Sequence, residues 1–272
     1  MISVLNNVSA LGAENALSMT EASLQNTLLQ LSTGLKINSG SDDAAGLSIA
    51  SGLGANIAAL TQSSQNASDG VGQLQTADGA LSQVTALLNR AVTLATEAAN
   101  GDLTTAQASA ANTEFLSITA EITQIGSTTN YNGNSVFSAT ALTTFTSDGT
   151  TGGTTTTSTT VGALSATTLS LNSDVLTSTT AAATALTDVT NAINAVSATR
   201  GSIGASVNQL TADTNVENTE VENLTSAQNN VQNADIGTTV SKMTQYNVLE
   251  QTGMAALSQA NAAQQNVLKL LQ

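Results

Sequence analysis

The 272-residue chain contains no cysteine, no histidine, no proline and no tryptophan. Lack of cysteine removes disulfides and thiolate nucleophiles, and lack of histidine removes imidazole bases and the commonest zinc ligand. Without proline, nothing forces a break in a long helix. Aromatic residues make up only 2% of the chain, so a thick aromatic core is excluded. Cations are scarce as well: five Lys and Arg stand against nineteen Asp and Glu, for a net charge of −14. The five, Lys36, Arg90, Arg200, Lys242 and Lys269, are scattered. A phosphate backbone calls for clustered cations, so neither nucleic acid nor an anionic membrane surface is an expected partner. Residues 1–35 carry no Lys or Arg and no apolar run of signal-peptide length. A reading by runs finds no transmembrane segment, so no membrane insertion is expected.

What remains is 40% apolar, built on Ala, Leu and Val, and its spacing is informative. Steps of three and four from Leu53 visit Ile57, Leu60, Ser64, Ala67, Val71, Leu74, Asp78, Leu81, Thr85, Leu88, Val92 and Ala95, and ten of these thirteen positions are apolar. That is the seam of a helix packed lengthwise on another, about 65 Å long at 1.5 Å per residue. A second seam runs Leu186, Val189, Ile193, Val196, Ile203, Val207, Leu210, Val221, Leu224 and Val231, broken by Arg200, Thr214, Glu217 and Gln228. A shorter one, Phe115, Ile118, Ile122 and Ile125, is expected to stop at Gly126. At the ends, Leu17, Leu24, Leu28, Leu31 and Leu35 are expected to share one face. Val240, Met243, Met254, Leu257, Leu268 and Leu271 are expected to share another, interrupted by Asn247, Glu250, Asn261 and Gln264. Stripes this narrow need a partner helix, and each terminus is the obvious partner of the other.

The middle has a different composition. Asn130-Tyr131-Asn132-Gly133 is a turn signal, and residues 136–145 have β-type composition. Residues 143–160, TTFTSDGTTGGTTTTSTT, show no apolar face. The expected fold is mainly α, a long antiparallel coiled-coil bundle with paired termini and a small β-hairpin region in the middle. The expected segments are an N-terminal helix (1–44), a long-helix rod (45–138), a solvent-facing Thr/Ser-rich segment (139–183), a returning rod helix (184–235) and a C-terminal helix (236–272).

Chemistry-bearing clusters are few. Asp42-Asp43 has no further ligands at calcium-loop spacing and reads as a helix N-cap. Glu217, Glu220 and Glu222 read as a solvated face. With no His and no base beside a nucleophile, no hydrolytic triad assembles, and no Gly-rich phosphate loop is present. No catalytic, metal or cofactor site is expected, and the chain does not read as an enzyme.

Two separated sets of motifs carry a resemblance. Residues 31–38, LSTGLKIN, followed by 42–50, DDAAGLSIA, then 66–70, NASDG, and 75–81, QTADGAL, resemble the N-terminal signature of bacterial flagellins. Asn233-Ala234-Asp235, Met243, Gln259-Ala260-Asn261 and the final QNVLKLLQ are similar to that family's C-terminal pattern. Two positions depart from it: Gln30 and Gln272 stand where a basic residue is usual. The resemblance implies a secreted structural protein of the flagellar filament, exported unfolded through the flagellar type III apparatus with an export chaperone. It would polymerise with itself beneath a cap protein, next to hook–filament junction proteins. It also implies self-assembly through the terminal leucines and methionines named above. Arg90, Leu94 and Glu114 match the patch read by the vertebrate flagellin receptor, although packing between rods explains them equally well. A hook–filament junction protein shares the same ends and is the alternative. An exported adhesin or enzyme on flagellin-like ends would need a larger structured middle.

Overall fold

The computed structural model describes residues 7–150 and 154–270. Five helices account for most of these: α1 (Val8–Thr33), α2 (Ala44–Ala99), α3 (Thr105–Thr128), α4 (Thr179–Gln232) and α5 (Ile236–Leu270). Two hairpins lie between α3 and α4. The first joins β1 (Asn130–Tyr131) to β2 (Asn134–Ser135), and the second joins β3 (Leu142–Ser147) to β4 (Thr154–Thr159). The fold is mainly α with a small antiparallel strand region, as the periodicity predicts. The chain divides into two compact units, a terminal one (Met1–Ala55 with Asn223–Gln272) and a central one (Asn56–Glu222). The divisions fall inside α2 and α4 rather than at the loops near 44 and 235.

In the central unit the expected seams are the core. Leu60, Ala67, Leu74, Leu81, Leu88 and Ala95 of α2 are buried, as are Val189, Val196, Ile203 and Leu210 of α4. Phe115, Ile118 and Ile122 of α3 join the same cluster. The polar interruptions of the seams turn out to have partners. Asp78 in the α2 seam takes a paired hydrogen bond from Arg200 in the α4 seam, at 2.7 and 3.2 Å. Glu217 accepts from Ser63 Oγ at 2.5 Å. Glu217 is therefore not on a solvated face; it is only 7% exposed. An interruption read along one helix is a gap, but two interruptions at the same level are a bond.

Gly126 does not end α3, which continues to Thr128. It is buried, and a Cβ there would overlap the backbone carbonyl of Leu164, so the glycine lets the segment after β4 lie against the helix. The other end of α3 carries a capping box in which Thr104 and Gln107 satisfy each other's backbone.

The first hairpin turns at Asn132 and Gly133, with φ of 50° and 81°, as a two-residue type I′ turn requires. The second corrects the expectation of a segment facing only solvent. Thr144, Thr146, Thr157 and Thr159 are buried on one side of it. Gly70 of α2 makes room for that face, because a Cβ there would come within 2.6 Å of Thr144 Oγ1. Asn66 Nδ2 donates to the Phe145 carbonyl at 3.1 Å, and Thr157 Oγ1 donates to Asp213 Oδ2 at 3.3 Å. Beyond β4, Val161, Leu164, Leu171 and Leu176 enter the core. Threonine hides this face from a hydropathy reading, because its methyl packs while its hydroxyl needs a partner that only the fold supplies.

A second correction concerns α2. By length and composition this helix contains a stretch apolar enough to cross a membrane. No charged residue lies between Ala44 and Ser68, and Ala, Leu and Ile raise the average even though Ser, Asn and Gln recur within the run.

Candidate functional site

The terminal unit is where the 31–50 stretch of the first signature meets the Asn233-Ala234-Asp235 motif of the second. Its two long helices, α1 and α5, pair antiparallel. At one end Asn7 caps α1, accepting from the Ala10 amide at 3.0 Å, and its Nδ2 donates to the Ala260 carbonyl at 3.1 Å. In the middle Leu17 lies against Gly253, whose missing side chain admits it. At the other end Leu35 and Asn233 form an antiparallel bridge. There the Ala234 amide donates to Gly34 O at 2.9 Å and the Lys36 amide donates to Gln232 O at 2.8 Å.

Each residue of the two short motifs has a local reason. Gly34 takes φ 74° to end α1, with its amide on Gln30 O, a left-handed cap that glycine adopts without strain. Gln30, at a position usually basic in the resembling family, donates its side-chain amide to Lys36 O at 3.1 Å. Asp42 closes the loop by accepting from the amides of Asn38 and Ser39 at 3.0 and 2.8 Å. Those bonds hold its carboxyl below the usual range. Asp43 caps α2 through the Gly46 amide at 2.9 Å, as the reading of this pair as a helix cap predicts. A Cβ at Gly46 would press on Asp43 and on the buried Ile37 side chain. In the C-terminal motif, Ala234 makes the bridge and Asp235 caps α5 through the Gly237 amide at 2.9 Å.

The seam between the helices is narrower and more polar than expected. On α1 it passes through Leu17, Thr20, Leu24, Thr27 and Leu31, which are buried or half-buried, with Leu35 half-buried just past the helix end. On α5 it passes through Thr239, Met243, Tyr246, Glu250, Gly253, Leu257, Ala260 and Gln264. Met243 and Leu257 therefore take their expected places. Leu28, Val240 and Met254 do not: they are 46%, 39% and 50% exposed. The reason is register. The buried set keeps steps of three and four through small and polar residues, which leaves these larger side chains on the outer faces. Val8, Leu11, Met19 and Leu29 of α1, and Val248 and Leu249 of α5, are exposed with them. A hydropathy stripe picks the largest residues; Thr27 stands three residues after Leu24 and Thr239 four before Met243, steps that Leu28 and Val240 match equally well, so the burial of the threonines shows only in the fold. Leu271 and the side chain of Leu268 lie outside the described residues.

Arg90, Leu94 and Glu114 belong to the central unit. Arg90 and Glu114 form a paired salt bridge at 2.7 and 3.0 Å on the surface, and that hydrogen bonding lowers the Glu114 carboxyl's pKa. Leu94 is in the core, 3% exposed. Two of the three positions thus sit together at the surface and the third is enclosed in the core. Among the described residues no group of acidic side chains is placed to hold a metal ion.

Residues 4–142 match the family described as bacterial flagellin N-terminal helical region, and residues 186–271 match its C-terminal helical region. The chain belongs to the bacterial flagellin family. The flagellin of Halalkalibacterium halodurans is 32% identical over 98% of this chain and 98% of its own length. That of Bacillus subtilis is 31% identical over 98% of each, and that of Listeria innocua is 31% identical over 98% of this chain and 99% of its own. The crystal structure of Bacillus cereus flagellin is 28% identical, covering 56% of this chain and 88% of that chain with a TM-score of 0.49. This is a family of structural proteins rather than enzymes, and the bridge at Leu35 and Asn233 joins residues within its two matched regions.

Proposed function

We propose that the chain is the subunit that polymerises with itself into the extracellular filament of the bacterial flagellum. Its terminal helices would supply the contacts between copies. One observation carries this reading: α1 and α5 bury small and polar residues against each other while leaving Leu11, Leu28, Leu29, Val248, Leu249 and Met254 exposed. Large apolar side chains gathered on the outside of a two-helix pair mark a surface that another partner covers. In a self-polymer that partner is the same pair on a neighbouring copy.

Export through the flagellar type III apparatus with its chaperone, and capture at the tip beneath a cap protein next to the junction proteins, are part of the same reading. A two-helix unit with a thin seam unfolds readily, which suits passage through a narrow channel. Recognition by the vertebrate flagellin receptor would fall to Arg90 and Glu114 at the surface, since Leu94 is enclosed. The test is assembly of the purified full-length chain onto short filament seeds, followed by sedimentation and electron microscopy. Long filaments are expected. A chain that stays monomeric on seeds would overturn the proposal.

A further inference from the structure

Glu217 is the one carboxylate of the central unit enclosed at the joint between α2, α4 and the β3–β4 hairpin. The Ser147 amide, at the end of β3, donates to Ser63 Oγ of α2 at 3.0 Å, and Ser63 Oγ donates to Glu217 Oε1 of α4 at 2.5 Å. Three elements are therefore tied by one relay that ends on this carboxyl. Its other oxygen, Oε2, is buried and has no hydrogen-bond partner. Glu217 borders a cleft of about 330 Å³ that Asp148 also lines from the hairpin and Asp213 and Glu220 line from α4. The α2 side of the joint is uncharged from Asn56 to Ser68, and neither salt bridge among the described residues involves these acids. No three carboxylates converge there closely enough for a metal ion.

We propose that Glu217 is a proton-operated clasp: with a proton on Oε2 it holds the β3–β4 hairpin onto the helices, and when ionised it loosens that hold. Ionisation puts a charge on a buried oxygen with no hydrogen-bond donor and no salt-bridge partner, where it is costly. It also sets that charge against Asp213 and Glu220 on its own helix, beside a cleft that Asp148 lines from the hairpin. Burial first, and the charges of Asp213 and Glu220 after it, push the carboxyl above its usual range, against the lowering effect of the Ser63 hydrogen bond. A carboxyl raised in the folded state contributes stability that is fully present below its unfolded value and is lost as pH rises through the folded one. Acid therefore tightens the clasp and alkali releases it. The Asn66 bond to the Phe145 carbonyl has no titrating group and keeps the hairpin in place meanwhile.

Hydrogen–deuterium exchange on the full-length monomer, corrected for intrinsic rates, reads the hairpin directly. Protection of residues 142–150 and 154–159 is expected to be lower at pH 8 than at pH 5.5, by up to about tenfold per pH unit within the titration. In Glu217→Gln the hairpin is expected to keep its acid-level protection at both pH values. Glu220→Gln removes one repelling charge while leaving the clasp, so Glu217 ionises more easily and the transition should move to lower pH. Equal protection of the wild type at both pH values would overturn the proposal, as would an unchanged pH response in Glu217→Gln. If Glu217→Gln does not fold, an unmoved transition in Glu220→Gln overturns it. Wild type at pH 8 with millimolar calcium should behave as without it; protection by calcium equal to that by acid would make the cleft a cation site and end the proton account.

Discussion

The terminal and central units are made of similar helices and use them in opposite ways. Among the described residues, eleven of the large apolar side chains left exposed belong to the terminal unit and four to the central one. The buried apolar residues divide the other way: only Ile37 and Ala50 lie in the terminal unit. The central unit can bury both long seams because α3, the β3–β4 hairpin and the segment through Leu171 and Leu176 cover what two helices cannot. The terminal unit has one narrow seam per helix and nothing to cover the outer faces. On the proposed reading a helix pair of that kind is half of an interface, and neighbouring copies would supply its remaining stability.

The sharpest way to break the comparison is to place a charge on an outer face of the terminal pair. Leu28→Glu should leave the thermal midpoint of the monomer unchanged, within about 0.5 kcal/mol for an exposed position. Filament yield on seeds, measured by sedimentation, should fall to background, because the charge would be buried between copies without a partner. Normal filament growth would mean that this face stays in solvent. The opposite result is expected in the core. Phe115→Ala should cost the central unit about 3–5 kcal/mol in denaturant unfolding followed by circular dichroism.

Gly126→Ala is a finer test of how the middle segment is held. A Cβ has no room beside the Leu164 carbonyl, so a loss of about 1–3 kcal/mol is expected; a neutral result would show that the segment after β4 is free to move away. The smallest effect should come from Asp78→Asn. The Asp78–Arg200 pair is partly exposed on both sides, and its loss should cost about 0.5–1 kcal/mol or less. The hydrogen bond from Arg200 holds the Asp78 carboxyl below its usual range despite some burial. Its contribution is thus present at neutral pH and lost as pH falls through that lowered value, and Asp78→Asn should flatten this part of an acid titration.

Much of this architecture was legible because it rests on spacing. Every position of the Leu53–Ala95 seam is buried or half-buried, since a three–four repeat places residues on one face whatever their chemistry. The family motifs were legible too, but the jobs of Gly34, Asp43, Gly46 and Asp235 as caps and close approaches emerge only with the backbone in place. Three things were hidden for physical reasons. Threonines form the buried side of the hairpin, and hydropathy ranks them as neutral. Gly126 reads as a helix stop, although a glycine that admits a neighbouring carbonyl looks the same in sequence. Leu28, Val240 and Met254 stand at apolar seam spacing in the sequence, whereas the helices meet through Thr27, Thr239 and Gly253.

The central claim is that the terminal pair is completed by other copies. Hydrogen–deuterium exchange on the full-length chain, before and after polymerisation on seeds, tests it most directly. Peptides from α1 and α5 should exchange much faster than those around Leu74–Leu94 in the monomer and become comparably protected in the filament, while the central peptides change little. Terminal peptides already as protected in dilute monomer as the central core, or unchanged by polymerisation, would contradict it.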